Sequence, residues 1–267
     1  MRSLPPELLD LIVDLLHDQP DALKACCAVS TSWVRRSRKH LFARIEFSLL
    51  KSHIERWKEA FPDPSQSPTR YTRSLLIRGL PVITTADTGS AGWIHTFSNV
   101  VRLHVDTIVG DDFSLVPFRG LSPTLKSLIL AYKSSTPPSE VFGLVCSFPL
   151  LEDLALISLG NYNEVGGWSA PSTSPKLTGS LDLRILGGIR STVRRLLELP
   201  GGPHFTKITV SCLDEDVEST MSLLSRCSDT LESLSVCYYL PGIFLPFLVC
   251  RLLTTTCECS HVQSTCS

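Results

Sequence analysis

Three groups of residues in this chain have types that could do chemistry. Cys257, Cys259, His261 and Cys266 are zinc ligands by type, but Cys-x-Cys-x-His is not one of the paired spacings that hold a tetrahedral site. His104 stands two residues before Asp106, which on an extended chain puts both on one face. That pair suits a hydrogen-bonding surface better than a general base, for which nothing nearby supplies a reacting partner. The basic run Arg35-Arg36-Ser37-Arg38-Lys39-His40 could meet an anion or an acidic protein surface, although such runs are as a rule solvated faces. No phosphate-cradling Gly-x-x-x-x-Gly-Lys-Ser/Thr loop, His-Glu-x-x-His helix or Gly-x-Ser-x-Gly elbow occurs. With no nucleophile, base and anion hole to assemble, no catalysis, metal or cofactor is expected.

The bulk properties agree with a binding role. The chain has 267 residues, 43% of them hydrophobic, and a net charge of −1. It can bury an ample core, and no global field draws it to nucleic acid or an anionic membrane. Prolines follow Arg2 almost at once, so a secretory signal is not expected. The apolar stretch from Tyr238 to Leu253 is broken by Pro241, Gly242, Pro246 and Arg251, too short and interrupted to span a bilayer. Most of the ten cysteines lie in apolar periodic segments, where reduced thiols act as small core hydrophobes. The chain reads as intracellular, cytoplasmic and/or nuclear.

The elements come from a repeat. An apolar triplet recurs with central residues Leu75, Leu103, Leu128, Leu154, Leu181, Ile208 and Leu234, at gaps of 28, 25, 26, 27, 27 and 26 residues. A period of about 20–29 residues carrying L-x-x-L-x-L is the mark of leucine-rich repeats. Connecting segments carry helical faces: Val141, Leu144, Val145 and Phe148; Ile189, Val193, Leu196 and Leu197; Val217, Met221 and Leu224. Strand plus crossover helix at this period predicts an α/β fold, an open horseshoe with parallel strands inside and helices outside, over residues 71–250. Three residues past the triplet, where such repeats favour asparagine or cysteine, stand Leu80, Ile108, Lys133, Leu159, Leu186, Leu213 and Tyr239. An asparagine ladder is therefore absent.

Residues alternating with the buried ones would line the concave face. Arg78, Arg102, His104 and Asp106 lead it; Asp153, Asp182, Arg184 and Lys207 follow. This mixture suits a protein target better than a phosphate backbone, which wants basic residues throughout.

Ahead of the array, Pro5 and Pro6 open a helix where missing N–H groups do no harm. Leu8, Leu9, Ile12, Leu15 and Leu16 share an arc opposite Glu7, Asp10 and Asp14. Pro20 ends it, Asp21 is placed to cap a second helix through Leu23, Cys26, Cys27 and Val29, and Ser30 or Thr31 a third carrying Trp33, Leu41 and Phe42. So small a unit leaves apolar surface for a partner, or it simply caps the array. Residues 46–70 form a bridge: a helix with Leu50, Ile54, Trp57 and Phe61 on one face, then the turn-rich run from Pro62 to Pro68.

The order Leu4-Pro5-Pro6-Glu7-Leu8-Leu9, Ile12, Leu16, Asp21, Leu23, Val29-Ser30, Trp33 and Leu41-Phe42 resembles an F-box, over residues 1–45. With the degenerate repeats behind it, the chain is similar to the large F-box families of mushroom-type fungi. The resemblance implies a non-catalytic substrate receptor of a Skp-cullin-F-box ubiquitin ligase. By position, Leu4, Pro5, Leu8, Leu9, Ile12 and Leu16 would meet the Skp-family adaptor and, through it, a cullin. Leu23, Val29, Trp33 and Leu41 would serve the helical core and the rest of that interface. The alternative is a leucine-rich-repeat interaction module with no ligase role. Residues 251–267 are polar and expected to be disordered. Either Tyr238 to Leu253 folds over the last strand, whose open edge is a liability, or further repeats would follow in a longer relative.

Overall fold

Every one of the seven recurring triplets forms a strand. The computed structural model describes residues 5–47, 51–78, 91–106, 114–133, 136–159, 174–186, 189–212, 216–240, 243–244, 248–253 and 256–260. Leu4, Leu50, Leu80, Ile108, Leu213, His261 and Cys266, all named above, lie outside the described residues.

Three helices come first: α1 (Pro6–Leu15), α2 (Pro20–Val29) and α3 (Thr31–Leu41). Pro6 and Pro20 each occupy the first helical turn, where a proline's missing donor is harmless. Ser30 caps α3 by accepting from the Ser32 N–H at 3.3 Å. Asp21 does not cap α2; it sits inside the first turn, and its carboxylate accepts from Lys24 at 2.9 Å. Val13, Leu23 and Cys26 are the buried hydrophobics of this unit.

The sheet begins earlier than the triplets indicate. Strand β1 (Arg44–Phe47) pairs parallel to β2 (Ser74–Arg78), with Ile45 opposite Leu75 and Phe47 opposite Ile77. The sequence boundary at residue 45 therefore cuts a strand, which a phenylalanine in place of leucine had disguised. Between them, α4 (Lys51–Ala60) turns Ile54 and Trp57 inward. The run after it winds into two short 3-10 turns, Pro64–Gln66 and Pro68–Tyr71, and buries Ser67, Pro68 and Thr69. It is packed chain.

From β2 the strands follow in chain order: β3 (Arg102–Asp106), β4 (Ser127–Lys133), β5 (Asp153–Leu159), β6 (Ser180–Leu186), β7 (Lys207–Cys212) and β8 (Ser233–Leu240). Leu75, Leu103, Leu128, Leu154, Leu181, Ile208 and Leu234 form one continuous row, each opposite the next. A slip of one residue would turn the whole set away from the core. Helices α5 (Pro138–Val145), α6 (Ile189–Leu197) and α7 (Val217–Arg226) occupy the crossovers that lead into β5, β7 and β8. The earlier ones hold 3-10 turns at Ala91–Thr96 and Val116–Phe118. Phe97, Phe118, Phe148 and Phe205, each a few residues ahead of a strand, are fully buried. The α7 face is rotated from the expected one: Thr220 and Leu223 go inward, while Val217 and Met221 stay exposed.

What replaces the asparagine ladder is backbone. The Ala43 carbonyl accepts from the N–H groups of both Arg73 and Ser74, at 2.8 and 2.9 Å. The same two-donor bond recurs from Arg73 to Val101 and Arg102, from Val101 to Lys126 and Ser127, from Lys126 to Glu152 and Asp153, and on to Thr206. Hydroxyls reinforce it: Thr124 donates to Val100, Thr206 to Gly179 and Thr230 to Phe205. One rung departs from this pattern. The Glu152 carbonyl takes only the Gly179 N–H, and the Asp153 carboxylate takes the Ser180 N–H and hydroxyl, both at 2.7 Å. A Cβ on Gly179 would lie 2.4 Å from that carboxylate oxygen and 3.1 Å from the Glu152 carbonyl. Gly179→Ala is therefore expected to destabilise the chain by about 1–3 kcal/mol through overpacking, read as a lower denaturation midpoint. An unchanged midpoint would show that this rung yields easily.

The C-terminal segment, expected to be disordered from residue 251, contributes strands β10 (Leu248–Leu253) and β11 (Thr256–Ser260), after a two-residue β9 (Ile243–Phe244). Strand β10 pairs antiparallel with β8 and so covers the edge of the parallel array; β11 pairs antiparallel with β10. The expected folding back of the chain over that edge is thus observed. Among the described residues no helix is long and apolar enough to cross a membrane.

Candidate functional site

Two surfaces carry the adaptor-facing and target-facing residues expected from sequence. The first is the outer side of α1. Leu8, Leu11, Ile12 and Leu15 recur at helical spacing and face away from the body; Leu8 is 47% exposed and Leu15 72%. Inward go Val13, fully, and Leu9 and the C-cap Leu16, in part. Pro5 is exposed, as is Val29 at the end of α2. Leu23 belongs to the small core, and Trp33 and Leu41 are half-buried. Sequence periodicity found an apolar arc but missed Leu11, because α1 is apolar on more of its circumference than the body can cover.

The helix carrying this stripe is locked to α3 by its polar side. Asp14 accepts from Arg36 Nε at 2.6 Å, from a second Arg36 nitrogen, and from His40 Nε2 at 2.7 Å. The Arg36 fork, then His40, hold the Asp14 carboxyl well below the usual carboxylate range. Its folded value lies below the unfolded one, so the stabilisation is present above about pH 4 and is lost progressively as pH falls through the acid range. Asp14→Asn should cost at most about 1 kcal/mol, because the carboxylate is a third exposed and water screens the pair. It should also flatten the fall in melting temperature between about pH 5 and pH 3. A variant whose acid profile parallels the wild type would assign that fall to other carboxylates.

The second surface is the sheet face turned away from the core. Register places Arg78 opposite Asp106, and Leu76, His104 and Ile129 side by side. Arg78 Nε lies 3.5 Å from Glu46 Oε1. Burial pushes the His104 imidazole below its ordinary value and favours the neutral ring, against the opposite pull of Asp106. Three strands on, Arg184 donates to both oxygens of Asp182, at 3.0 and 2.7 Å. Asp153 commits its Oδ1 to the strand start beside it, as described. Arg102 and Lys207 are exposed. Between the two charged groups lie half-buried Ile129, Ala155 and Ile157, beside buried Ala131. Much of the mixed charge expected here is thus neutralised pairwise, around an apolar centre.

Reactive chemistry does not gather on either surface. Cys26, Cys27, Cys146, Cys227 and Cys237 are free thiols. Burial pushes the Cys146 thiol up to about 11 and raises that of Cys227 as well, which leaves little thiolate to attack anything. Among the described residues no three of histidine, cysteine, aspartate and glutamate converge as metal ligands. A scan of protein-family models and a search of curated proteins each return no match to this chain.

Proposed function

We propose that this chain is a non-catalytic substrate receptor of a Skp-cullin-F-box ubiquitin ligase, with α1–α3 as the F-box and the strands behind it as a leucine-rich-repeat horseshoe. The observation that carries the reading is the stripe of Leu8, Leu11, Ile12 and Leu15 left in solvent on a helix otherwise clamped to its neighbours. A contiguous aliphatic stripe on a short helix marks a partner site, and it falls on the stretch whose residues resemble the adaptor-binding end of an F-box. The open face of the sheet, apolar at Ile129 and Ile157 with charged pairs on either side, has the composition of a protein interface with a desolvated centre and a polar rim.

Such a receptor needs no reacting side chain. It accelerates ubiquitin transfer by raising the effective concentration of a bound target near the conjugating arm. The aromatic packing at the bridge suits that task. Trp57 lies 5.6 Å from Phe47, 6.2 Å from Phe42 and 6.2 Å from Phe97 between ring centroids, tying α4, the first strand and the next crossover into one block. The compartment would be cytoplasm or nucleus, where the adaptor works. The experiment is co-expression of the full chain with a Skp-family adaptor: a stoichiometric complex on gel filtration is expected, and chains that elute apart at micromolar concentration would overturn the reading.

A further inference from the structure

Where α3 meets the start of the repeats there is a cleft of about 470 Å³ lined mainly by basic side chains, with Asp10 and Ser32 also on its wall. Arg35 and Lys39 stand one helical turn apart on α3, and Arg70, Tyr71 and Arg73 face them from the 3-10 turn and the residues leading into β2. A second hollow shares Arg35, Arg70 and Tyr71 and extends the cleft to Asn99. Arg36 also reaches the cleft, but its charge is committed to Asp14 and, at 4.0 Å, to Asp10.

The other four cations have no such partner. Among the described residues no carboxylate pairs with Arg35, Lys39, Arg70 or Arg73. Elsewhere the chain places acids against its bases, as in Arg78–Glu46, Lys126–Glu152 and Arg194–Glu198. Two like charges at i and i+4 on a helix repel, and the facing pair adds to the repulsion in a protein whose net charge is only −1. The cleft is also pre-arranged. The Arg70 guanidinium stacks 4.8 Å from the Tyr71 ring centroid and donates to the phenol oxygen at 2.9 Å. The Arg70 carbonyl accepts from Asn99 at 2.9 Å, and Arg73 donates to the Asn99 carbonyl at 3.4 Å. Guanidinium forks held this way match phosphate oxygens two at a time, and the Tyr71 hydroxyl keeps its own proton to donate.

We propose that this cleft binds a small polyanion of the phosphate class, carrying at least two linked phosphates, bridging α3 to the entrance of the repeat array. The volume falls in the range of small-ligand sites, about 300–1,000 Å³, and exceeds the need of a single ion. The concave, local shape favours a compact ligand over a nucleic-acid backbone, which would need basic residues continued along a surface. Binding would restrain the helical unit against the array, because its two walls come from the two parts. The inference is independent of the ligase reading: the cleft lies on the basic side of α3, not on the apolar stripe of α1.

The test is titration of the full chain with inorganic tripolyphosphate, with sulfate at matched ionic strength as reference. Saturable heat with a micromolar dissociation constant and a melting temperature raised by several degrees are expected. Arg35→Gln/Arg70→Gln should weaken binding at least tenfold, whereas Lys24→Gln/Lys176→Gln, the same charge removed elsewhere, should leave it unchanged. Circular dichroism identical to the wild type certifies each variant, and Lys39→Gln serves in place of Arg70→Gln should that pair fail to fold. Tripolyphosphate that binds no better than sulfate, or equally well to both double variants, overturns the proposal. Saturation by polyglutamate but not by tripolyphosphate also overturns it and assigns the cleft to an acidic protein segment.

Discussion

Leu8→Gln/Leu15→Gln is expected to weaken capture of a Skp-family adaptor by about a hundredfold while moving the melting temperature by no more than about 3 °C. The two leucines belong to the stripe that α1 leaves in solvent, so their replacement removes nothing from the core. Exposed substitutions of this kind change stability by about 0.5 kcal/mol or less, a shift of about 1–3 °C in a chain of this size. Glutamine keeps the reach and helix propensity of leucine and adds no charge next to the Asp14 clamp. Apolar anchors at the centre of an interface cost about 2 kcal/mol or more when removed, and each 1.4 kcal/mol is about tenfold in affinity. Isothermal titration against purified adaptor reads the effect. Wild-type affinity in the double variant would remove the stripe from the interface, and with it the main support for the receptor reading. Leu9 is the wrong residue to alter, because it is half-buried against the body and its loss would confound folding with binding.

The largest stability effect should come from Phe97→Ala. The ring is fully buried and lies 6.1 Å from Phe47, 5.9 Å from Trp93 and 6.2 Å from Trp57. Truncating a buried phenylalanine leaves a cavity and costs about 3–5 kcal/mol, a large share of the roughly 5–15 kcal/mol that holds a typical domain. Its edge-to-face contacts with Phe47 and Trp93 contribute about 0.5–1.5 kcal/mol each beyond area. Urea unfolding should show the midpoint falling steeply, and tryptophan emission should shift red early in the titration, since Trp57 and Trp93 lose a packing partner. A loss under about 1 kcal/mol would mean that the cluster repacks and does not lock the bridge. Met221→Ala, on the exposed side of α7, is the matched control and should be close to neutral.

Some of this architecture was readable from residue order. The triplets at Leu75 through Leu234 announce parallel strands because a strand's side chains alternate with period two and a crossover returns each apolar set to the same face. The rows then align as the spacing requires. The first strand escaped notice because Arg44-Ile45-Glu46-Phe47 carries the alternation without a leucine triplet, inside a stretch claimed by the helices before it. On α7, Val217, Met221 and Leu224 have the right spacing, yet the helix turns Thr220 and Leu223 to the core and keeps only Leu224 of those three packed against it. Periodicity gives a stripe; the neighbouring strands choose its angle.

Charges were less legible still. Asp153 looks like a surface acid until its oxygen is found capping the Ser180 N–H, 27 residues away, beside a glycine with no room for a methyl group. Arg78 and Arg184 look available until Glu46 and Asp182 are found beside them. Conversely, Arg35 and Arg70 are separated by a strand, a helix and a 3-10 turn, and nothing in their local sequence indicates that they line one cleft.

By itself, then, the order of residues determined the number and spacing of the triplet strands, the alternation that sorts core from surface, and the apolar character of α1. Those are local properties, written in intervals of two to four residues and repeated at a regular period. Only the tertiary structure decided which half of α1 remains uncovered, which acids neutralise which bases, and which cations are left facing one another across the seam. Burial and ion pairing depend on distance in space between residues far apart along the chain, and a backbone carbonyl ladder such as the one that begins at Ala43 leaves no trace in side-chain identity.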